Sequence, residues 1–365
     1  MLKSMRTFTA EHLFRLNLMA TARSEESTLA SRKDLDELVG VQTEWWAKRG
    51  PLRSFEKTDA LSALNRESVS VYILSIRSGR IDVWRKAPPA PRASEHDVLR
   101  QSLFRLRVRL YKTYLEHVLR RSSNRASFDI ALDVDDITRD DAEVPILAFQ
   151  KHETARNILL PDVDFFGYDW YRHDDDPYTY DEKNIAACFV GASTGGMVSV
   201  DTVRRSSTPR LRAARYFCGN PSILFRISAA AQCTSPDAAA LLRAQPYFGA
   251  HVPWRDQLRS RFLISMDGNG AACSRLARGF RSDSAVIKFN SPHCLFYFPA
   301  LAAGREYLSV ASEAEIEPII ERERATPGSY RAVARAGRAF AERFLTAAST
   351  FSYTARLMKQ IAAMQ

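Results

Sequence analysis

Three stretches of this sequence join side chains that do chemistry to turn residues able to present them. In Asp133-Val134-Asp135-Asp136, carboxylates close the apolar run Phe128 to Leu132. A carboxylate at the end of an α/β strand is placed to face a cleft and to take the proton of an attacking hydroxyl. The Asp-x-Asp spelling also suits a metal–nucleotide site, and ordinary loop acids are the plain alternative. In Leu263 to Leu276, an apolar strand runs into Asp267-Gly268-Asn269-Gly270 and then into a helix that starts among small residues, with Arg275 in its first turns. Such a turn aims main-chain N–H groups and the positive end of a helix at a phosphate, and a guanidinium there can grip a diphosphate through two hydrogen bonds. Cys273 stands where the dinucleotide fingerprint has its third glycine, so Gly-x-Gly-x-x-Gly is not met, and there is no P-loop. In the third stretch, Phe189 to Gly196, the hydroxyls of Ser193 and Thr194 and the N–H groups of a small-residue turn suit phosphate or sugar oxygens; a flexible loop is the alternative. Arg204 to Arg212 follows. Such a basic run is usually solvated surface, but Arg210 and Arg212 are candidates for a nucleotide diphosphate.

These segments need a scaffold, and the pattern from Phe128 onward supplies one. Strands are expected at Phe128 to Leu132, Val144 to Phe149, Ala186 to Val190, Phe262 to Met266, Ser284 to Phe289 and Glu306 to Val310, from short β-rich apolar runs. Helices are expected at Ala271 to Phe280, Glu313 to Ala325 and Tyr330 to Leu345. Strands alternating with helices predict an α/β architecture with parallel sheets. The first ~90 residues carry few signals beyond a strand at Val69 to Ile76. Pro88-Pro89-Ala90-Pro91 reads as a rigid connector. From Ser94 to Arg121, Leu99, Leu103, Leu106, Leu110, Tyr114 and Val118 recur at helical spacing. This predicts an amphipathic helix packed on a sheet. Its arginines offer the alternative of a peripheral docking face for an anionic membrane. Tyr168 to Lys183, with Asp174-Asp175-Asp176-Pro177, reads as a solvated, turn-rich linker.

Composition narrows the partners. With 45% hydrophobic and 26% charged residues over 365 positions, the chain is an ordinary globular one, long enough for two domains. A net charge of +10 favours anionic partners. No nucleic-acid module is recognisable, so nucleic acid is not expected among them. Five cysteines without C-x-x-C spacing read as reduced, mostly buried thiols, and no zinc site is expected. No run approaches the ~20 apolar residues of a membrane span. Residues 1–20 do not read as a signal peptide, because Arg6, Glu11, His12, Arg15 and Asn17 interrupt them. A cytoplasmic protein, peripheral at most to the inner face of the membrane, is expected.

Taken in order, the same segments resemble the family 90 glycosyltransferases, the Rumi-like, capsule-associated and lipopolysaccharide-modifying enzymes. Phe128 to Asp136 looks like the family strand that ends in the catalytic aspartate, with Asp136 at the matching position. Asp133 and Asp135 stand where the family often has Asn and Arg. Val144 to Phe149 with Ile158-Leu159-Leu160-Pro161 is similar to the next family segment. Lys183 with Cys188 to Gly195, then Pro209 to Arg212, follow in the expected order. Asp267 to Arg275, Ser284 to Lys288 and Phe296-Tyr297-Phe298 resemble the nucleotide-binding block. The resemblance covers Phe128 to the C-terminus.

The resemblance implies a GT-B-like α/β fold, two Rossmann-like domains facing across a cleft. Residues 1–180 would form the acceptor-binding domain with the base, residues 181–345 the sugar-nucleotide domain, and residues 346–365 a helix packing back on the first. It implies an inverting, metal-independent glycosyltransferase that moves a hexose or pentose from a UDP-sugar to a glycan hydroxyl. The UDP-sugar is the donor substrate, and no cofactor is required. Asp136 would be catalytic. Gly191, Ser193, Thr194, Arg210, Asp267, Gly268, Ser274, Arg275 and Lys288 would hold the donor. The absence of secretory and retention signals favours a bacterial acceptor, free or lipid-linked: lipopolysaccharide core or a capsule precursor. The rival reading is a non-catalytic, basic protein that binds a membrane surface or an anionic ligand on the same fold.

Overall fold

The computed structural model describes residues 11–19, 30–50, 70–84, 95–122, 126–167, 176–271 and 273–365. The Pro88–Pro91 connector, Asp174 and Asp175 lie outside them. The chain divides into two compact units. The first comprises Met1–Tyr171, His293–Ala300 and Arg343–Gln365; the second comprises Arg172–Pro292 and Leu301–Glu342.

The first unit is built on a five-stranded sheet of order β2-β1-β3-β4-β5: β1 Val71–Arg77, β2 Arg80–Trp84, β3 Phe128–Asp133, β4 Ile146–Ala148 and β5 Ile158–Leu159. The sheet is mixed rather than wholly parallel. β1 pairs antiparallel with both β2 and β3, whereas β3, β4 and β5 run parallel. A two-residue turn, Ser78-Gly79, accounts for the hairpin: both have positive φ, 49° and 80°. That is the backbone a two-residue hairpin turn demands, and Gly79 adopts it without strain.

Helices α1 (residues 11–19), α2 (Arg32–Ala47) and α3 (Glu95–Arg121) belong to this unit. α2 is not among the expected helices, although it opens on a capping box: Asp34 N donates to Ser31 Oγ (3.2 Å) and Ser31 N donates back to Asp34 Oδ2 (3.0 Å). α3 packs as a core helix, but on a stripe turned from the expected one. Leu110, Tyr114 and Val118 of the expected stripe are buried, together with Phe104, Val108, Tyr111, Leu115 and Leu119, while Leu103 is 45% exposed. Both stripes have helical period; the buried one takes in the large rings of Phe104 and Tyr111 and so removes more apolar area from water. The C-terminal helix, Ala347–Met364, packs on α2 and α3. Tyr353 Oη donates to Leu159 O (2.7 Å), and Tyr114 Oη lies 2.7 Å from Thr354 Oγ1.

The second unit has a five-stranded parallel sheet of order β10-β9-β8-β6-β7: β6 Asn184–Ala192, β7 Ile223–Ala229, β8 Ser260–Ser265, β9 Ala285–Phe289 and β10 Leu308–Val310. Renumbered within the unit, the order is 2-1-3-4-5, a doubly wound sheet whose direction of winding reverses between β6 and β8. β7 is absent from the expected strands because it alternates: Ile223, Phe225 and Ile227 face the core, while Leu224 and Arg226 do not. Besides the single turn Trp254–Gln257, its helices are α4 Val200–Arg205, α5 Pro209–Tyr216, α6 Pro236–Arg243, α7 Cys273–Phe280, α8 Ile316–Ala325 and α9 Arg331–Phe344, whose last two residues fall in the first unit. The arginine run forms parts of two helices, with Arg204, Arg205 and Arg212 exposed as a solvated run would be and Arg210 half-buried. Ser199 Oγ caps α4 by accepting from Thr202 N (3.0 Å), and Leu211, Ala213 and Ala214 of α5 are buried.

Asp176 corrects the linker reading. Its carboxylate is buried, pairs with Lys183 (2.7 Å) and accepts from Asp283 N (2.9 Å). A second buried pair, Arg261–Glu323 (2.9 Å), ties β8 to α8. Cys188, Cys218, Cys233 and Cys294 are free thiols; Cys188 is buried but Cys218 is exposed, so burial is less general than expected. Among the described residues no helix is long and apolar enough to cross a membrane.

Candidate active site

In the first unit, the parallel run of β3, β4 and β5 brings the segments after all three strands to one sheet edge. Asp133, at the end of β3, is fully buried and serves the loop itself: its carboxylate accepts from Asp135 N (3.0 Å) and Arg139 N (2.8 Å). Burial holds its pKa above the usual carboxylate range against those bonds. Asp135 is locked to Arg100 of α3, and its Oδ1 accepts from Asp136 N (2.8 Å). Asp136 has the most open side chain of the three, 37% exposed against 14% for Asp135. Its Oδ1 accepts from Arg107 Nη1 (2.9 Å), which also donates to Val134 O (2.9 Å). Arg107 lies over the ring of Phe149 (5.2 Å). The three acids thus have different roles. Asp133 folds the loop, Asp135 is pinned, and Asp136 is paired with Arg107 yet open.

Three residues at this edge are not singled out by the sequence. Gln150, just past β4, donates from Nε2 to the main-chain oxygen of Asp136. Asp162 and Asp164 follow β5, and Asp164 N donates to Asp162 Oδ1 (3.0 Å). Burial, then repulsion by Asp164, pushes the Asp162 pKa up to about 7; burial also raises that of Asp164. Burial opposes the charge of Arg107, but Asp136, Asp162 and Asp164 outweigh it and hold its pKa above the ordinary arginine value. Leu160-Pro161-Asp162-Val163-Asp164 repeats the strand-then-acid signal of Asp133 to Asp136, which is the pattern that could have flagged it.

In the second unit, β6 and β8 diverge at the switch of winding, and the segments after them meet there. Gly268 lies so close to Thr194 that an added Cβ would stand 2.6 Å from Thr194 Oγ1 and 3.1 Å from Arg210 Nη2. Gly195 has φ +111° and a built Cβ 3.3 Å from Gly268 O, so both crossing points need glycine. Arg210, from α5, knits the two segments: Nη1 donates to Ala192 O (2.9 Å) and Thr194 Oγ1 (2.7 Å), Nε to Asp267 O (2.9 Å), and Nη2 to Met266 O (2.9 Å). Burial lowers its pKa to about 10.

Arg275, in the first turn of α7, donates to Val190 O and to Gln257 Oε1 (3.1 Å), and lies over the rings of Phe189 (4.6 Å) and Trp254 (5.7 Å). Its pKa is lowered to about 10, first by burial and then, in part, by the neighbouring Arg210 and Arg278. Neither Arg210 nor Arg275 forms an ion pair with a carboxylate among the described residues. The other expected residues are spread around this junction. Ser193 is buried and exchanges hydrogen bonds with Ala231, its Oγ donating to the carbonyl and accepting from the N–H (2.8 Å each). Gly191 sits near the end of β6, Asp267 accepts from Ser291 Oγ, Ser274 begins α7 half-buried, and Lys288 is buried on β9 with Nζ donating to Phe289 O (3.2 Å). Arg212 instead faces Glu313 (2.9 Å).

An acid at one strand edge and a cation-rich, glycine-crossed junction at another are what a group transfer from a phosphate ester needs. The sequence model of Glycosyl transferase family 90 matches residues 98–365. The chain belongs to glycosyl transferase family 90. No curated protein matches it. The family match begins thirty residues before Phe128, so it takes in α3 with Arg100 and Arg107 as well as both edges described above. As a family 90 glycosyltransferase, the protein binds a sugar donor and an acceptor.

Proposed function

We propose that this family 90 chain is an inverting, metal-independent enzyme that transfers a hexose or pentose from a UDP-sugar to a hydroxyl of a bacterial glycan. The two units would act as the halves of a GT-B-like enzyme, the first serving the acceptor and the second the donor. Asp136 takes the proton of the acceptor hydroxyl. The hydroxyl oxygen bonds to the anomeric carbon, and the bond from that carbon to the diphosphate breaks on the opposite face. The departing diphosphate is stabilised by Arg275, Arg210 and the N–H groups of the turns at Gly191 and Gly268 with the start of α7, assisted by Thr194, Ser193, Ser274, Asp267 and Lys288. Fixed donors of this kind take over the charge-stabilising role of a cation. The excess of 52 basic over 42 acidic residues suits an anionic, lipid-linked acceptor such as lipopolysaccharide core or a capsule precursor, met at the cytoplasmic membrane surface.

The observation that carries this reading is the pair of half-buried guanidiniums, Arg210 and Arg275, neither of which forms a salt bridge with a carboxylate among the described residues, although the charge of Asp267 acts on Arg210. Two neighbouring cations repel each other, and a diphosphate relieves that repulsion. The present acceptors of Arg275 are a carbonyl and an amide oxygen, both neutral, and a phosphate competes well with either. The test is calorimetric titration with UDP after a thermal-shift screen of UDP-sugars has ranked the donors. Arg275→Ala is expected to weaken UDP binding by roughly 1.5–3 kcal/mol. Unchanged affinity in a folded variant would sink the assignment.

A further inference from the structure

Helix α2 and the C-terminal helix, which pack on each other in the first unit, leave an open cleft of about 530 Å³ between them. Arg32, Asp36 and Gly40 line it from α2, and Arg356, Lys359 and Gln360 line it from the C-terminal helix. Steps of three and four residues put each set on one helical stripe. The charges of the cleft do not balance. Three cations face one acid, Asp36, whose Oδ1 already accepts from Arg356 Nη1 (2.5 Å). Arg32 and Lys359 are exposed, and neither forms an ion pair or a side-chain hydrogen bond among the described residues. The charges beside the cleft cancel in pairs, Lys33 with Glu37 (3.9 Å) and Asp34 with Arg343. Two positive charges are therefore left over, one on each wall.

Gly40 adds a second, independent sign of an occupant. It lies in the interior of α2, where glycine weakens a helix relative to alanine. A Cβ built on it would meet nothing within 4 Å, so no packing contact in the chain asks for glycine there. What the missing side chain leaves is room in the cleft.

We propose that this cleft is a further binding site for a phosphate monoester on a small polar body. Neither Asp136 nor Arg275 lines it, so the inference does not depend on the reading of the base or of the donor site. A dianionic phosphate matches the two unpaired cations and takes charge-assisted hydrogen bonds from both. The Gln360 amide can donate to, and accept from, the body that carries the phosphate. The volume exceeds that of a bare phosphate and falls in the range of small-molecule sites. A free sugar or glycerol phosphate and the headgroup of phosphatidic acid offer the same ester chemistry.

The experiment uses the full-length protein with UDP in excess, so that the donor site is occupied. One arm is calorimetric titration with glycerol phosphate and with glucose phosphate. The other is cosedimentation with phosphatidylcholine vesicles, with and without phosphatidic acid. Binding is expected in at least one arm: the soluble ester identifies a free ligand, and binding confined to phosphatidic acid identifies a lipid headgroup. The double variant Arg32→Gln, Lys359→Gln is expected to weaken it by roughly 10-fold or more, from the loss of two charge-assisted contacts. Gly40→Leu is expected to abolish it by filling the cleft, while melting no lower than the wild type, because leucine is the better helix former. Lys33→Gln, on α2 but outside the cleft, and Arg275→Ala are expected to bind both probes as the wild type does. No binding in either arm, or binding that survives in the double variant or in a folded Gly40→Leu, overturns the proposal. An equal loss in Lys33→Gln also overturns it, because that result marks general attraction to a basic surface.

Discussion

Asp162 gives the strand edge an unusual dependence on pH. Asp162 is buried, only 8% exposed, with Asp164 and Asp136 repelling its charge and Arg107 attracting it; burial and the two acids win. The folded-state pKa of about 7 stands above an unfolded value of 3.8. Between those values the native protein binds a proton that the unfolded chain does not, so this group's contribution is fully present below about pH 4 and is lost as pH rises through 7. A gap of about 3 units at about 1.4 kcal/mol each sets the loss on the order of 4 kcal/mol. Asp162→Asn keeps the shape of the protonated acid and cannot ionise. The variant is therefore expected to match the wild type near pH 4 and to exceed its stability progressively up to about pH 8. At roughly 2–4 °C per kcal/mol for a unit of this size, the melting difference reaches on the order of 10 °C. Differential scanning calorimetry at half-unit pH steps measures it, following the transition that Asp162→Asn moves. A gap that does not change with pH, or one that closes as pH rises, refutes the reasoning. Asp164→Asn provides the internal check. Removing this repelling neighbour lets Asp162 ionise at lower pH in the folded protein, so the fall in stability ends at lower pH and is smaller.

Three further outcomes follow from the geometry. Asp136→Asn keeps most hydrogen bonding but cannot take a proton; UDP release with a competent acceptor is expected to fall by roughly 10²–10⁴-fold with UDP affinity unchanged, whereas Asp135→Asn stays within a few-fold of wild type, since Asp135 is held by Arg100. Turnover is expected to survive EDTA, because the guanidiniums carry the leaving-group charge; loss on chelation with recovery on adding manganese or magnesium would reassign the acids as ligands. Arg261→Met strands the Glu323 carboxylate, which is fully buried and otherwise accepts from Gly328 N (2.7 Å) and Tyr330 N (3.2 Å); a loss of about 3–5 kcal/mol in urea denaturation is expected, and a loss under about 1 kcal/mol would show that the site rehydrates.

The sequence made some of this architecture legible, and the reasons for the omissions are physical. Strands β6, β8 and β9 are buried on both faces, so they read as continuous apolar runs that pattern alone reveals. β7 lies at the sheet edge and alternates, which weakens its signal. The hairpin of β1 and β2 hangs on the φ of Ser78 and Gly79, which composition hardly encodes. The same division runs through the site. Asp136 and Arg275 are visible because each ends or begins an element whose own pattern points to it. Gln150, Asp162 and Arg107 are not, because what gathers them is strand order and register. Leu132 pairs with Leu147 and Leu147 with Ile158, and only that ladder carries the residues after β3, β4 and β5 to one edge. Neighbourhood also decides what a residue does there. Asp133, Asp135 and Asp136 are equivalent as letters, but burial makes the first a loop-former, Arg100 restrains the second, and the third stays open beside Arg107. Arg210 illustrates the converse. Sequence offers it as a phosphate ligand, whereas a guanidinium that deep must first satisfy its own N–H groups. It does so on four oxygens of the two segments it joins, so it holds the junction together.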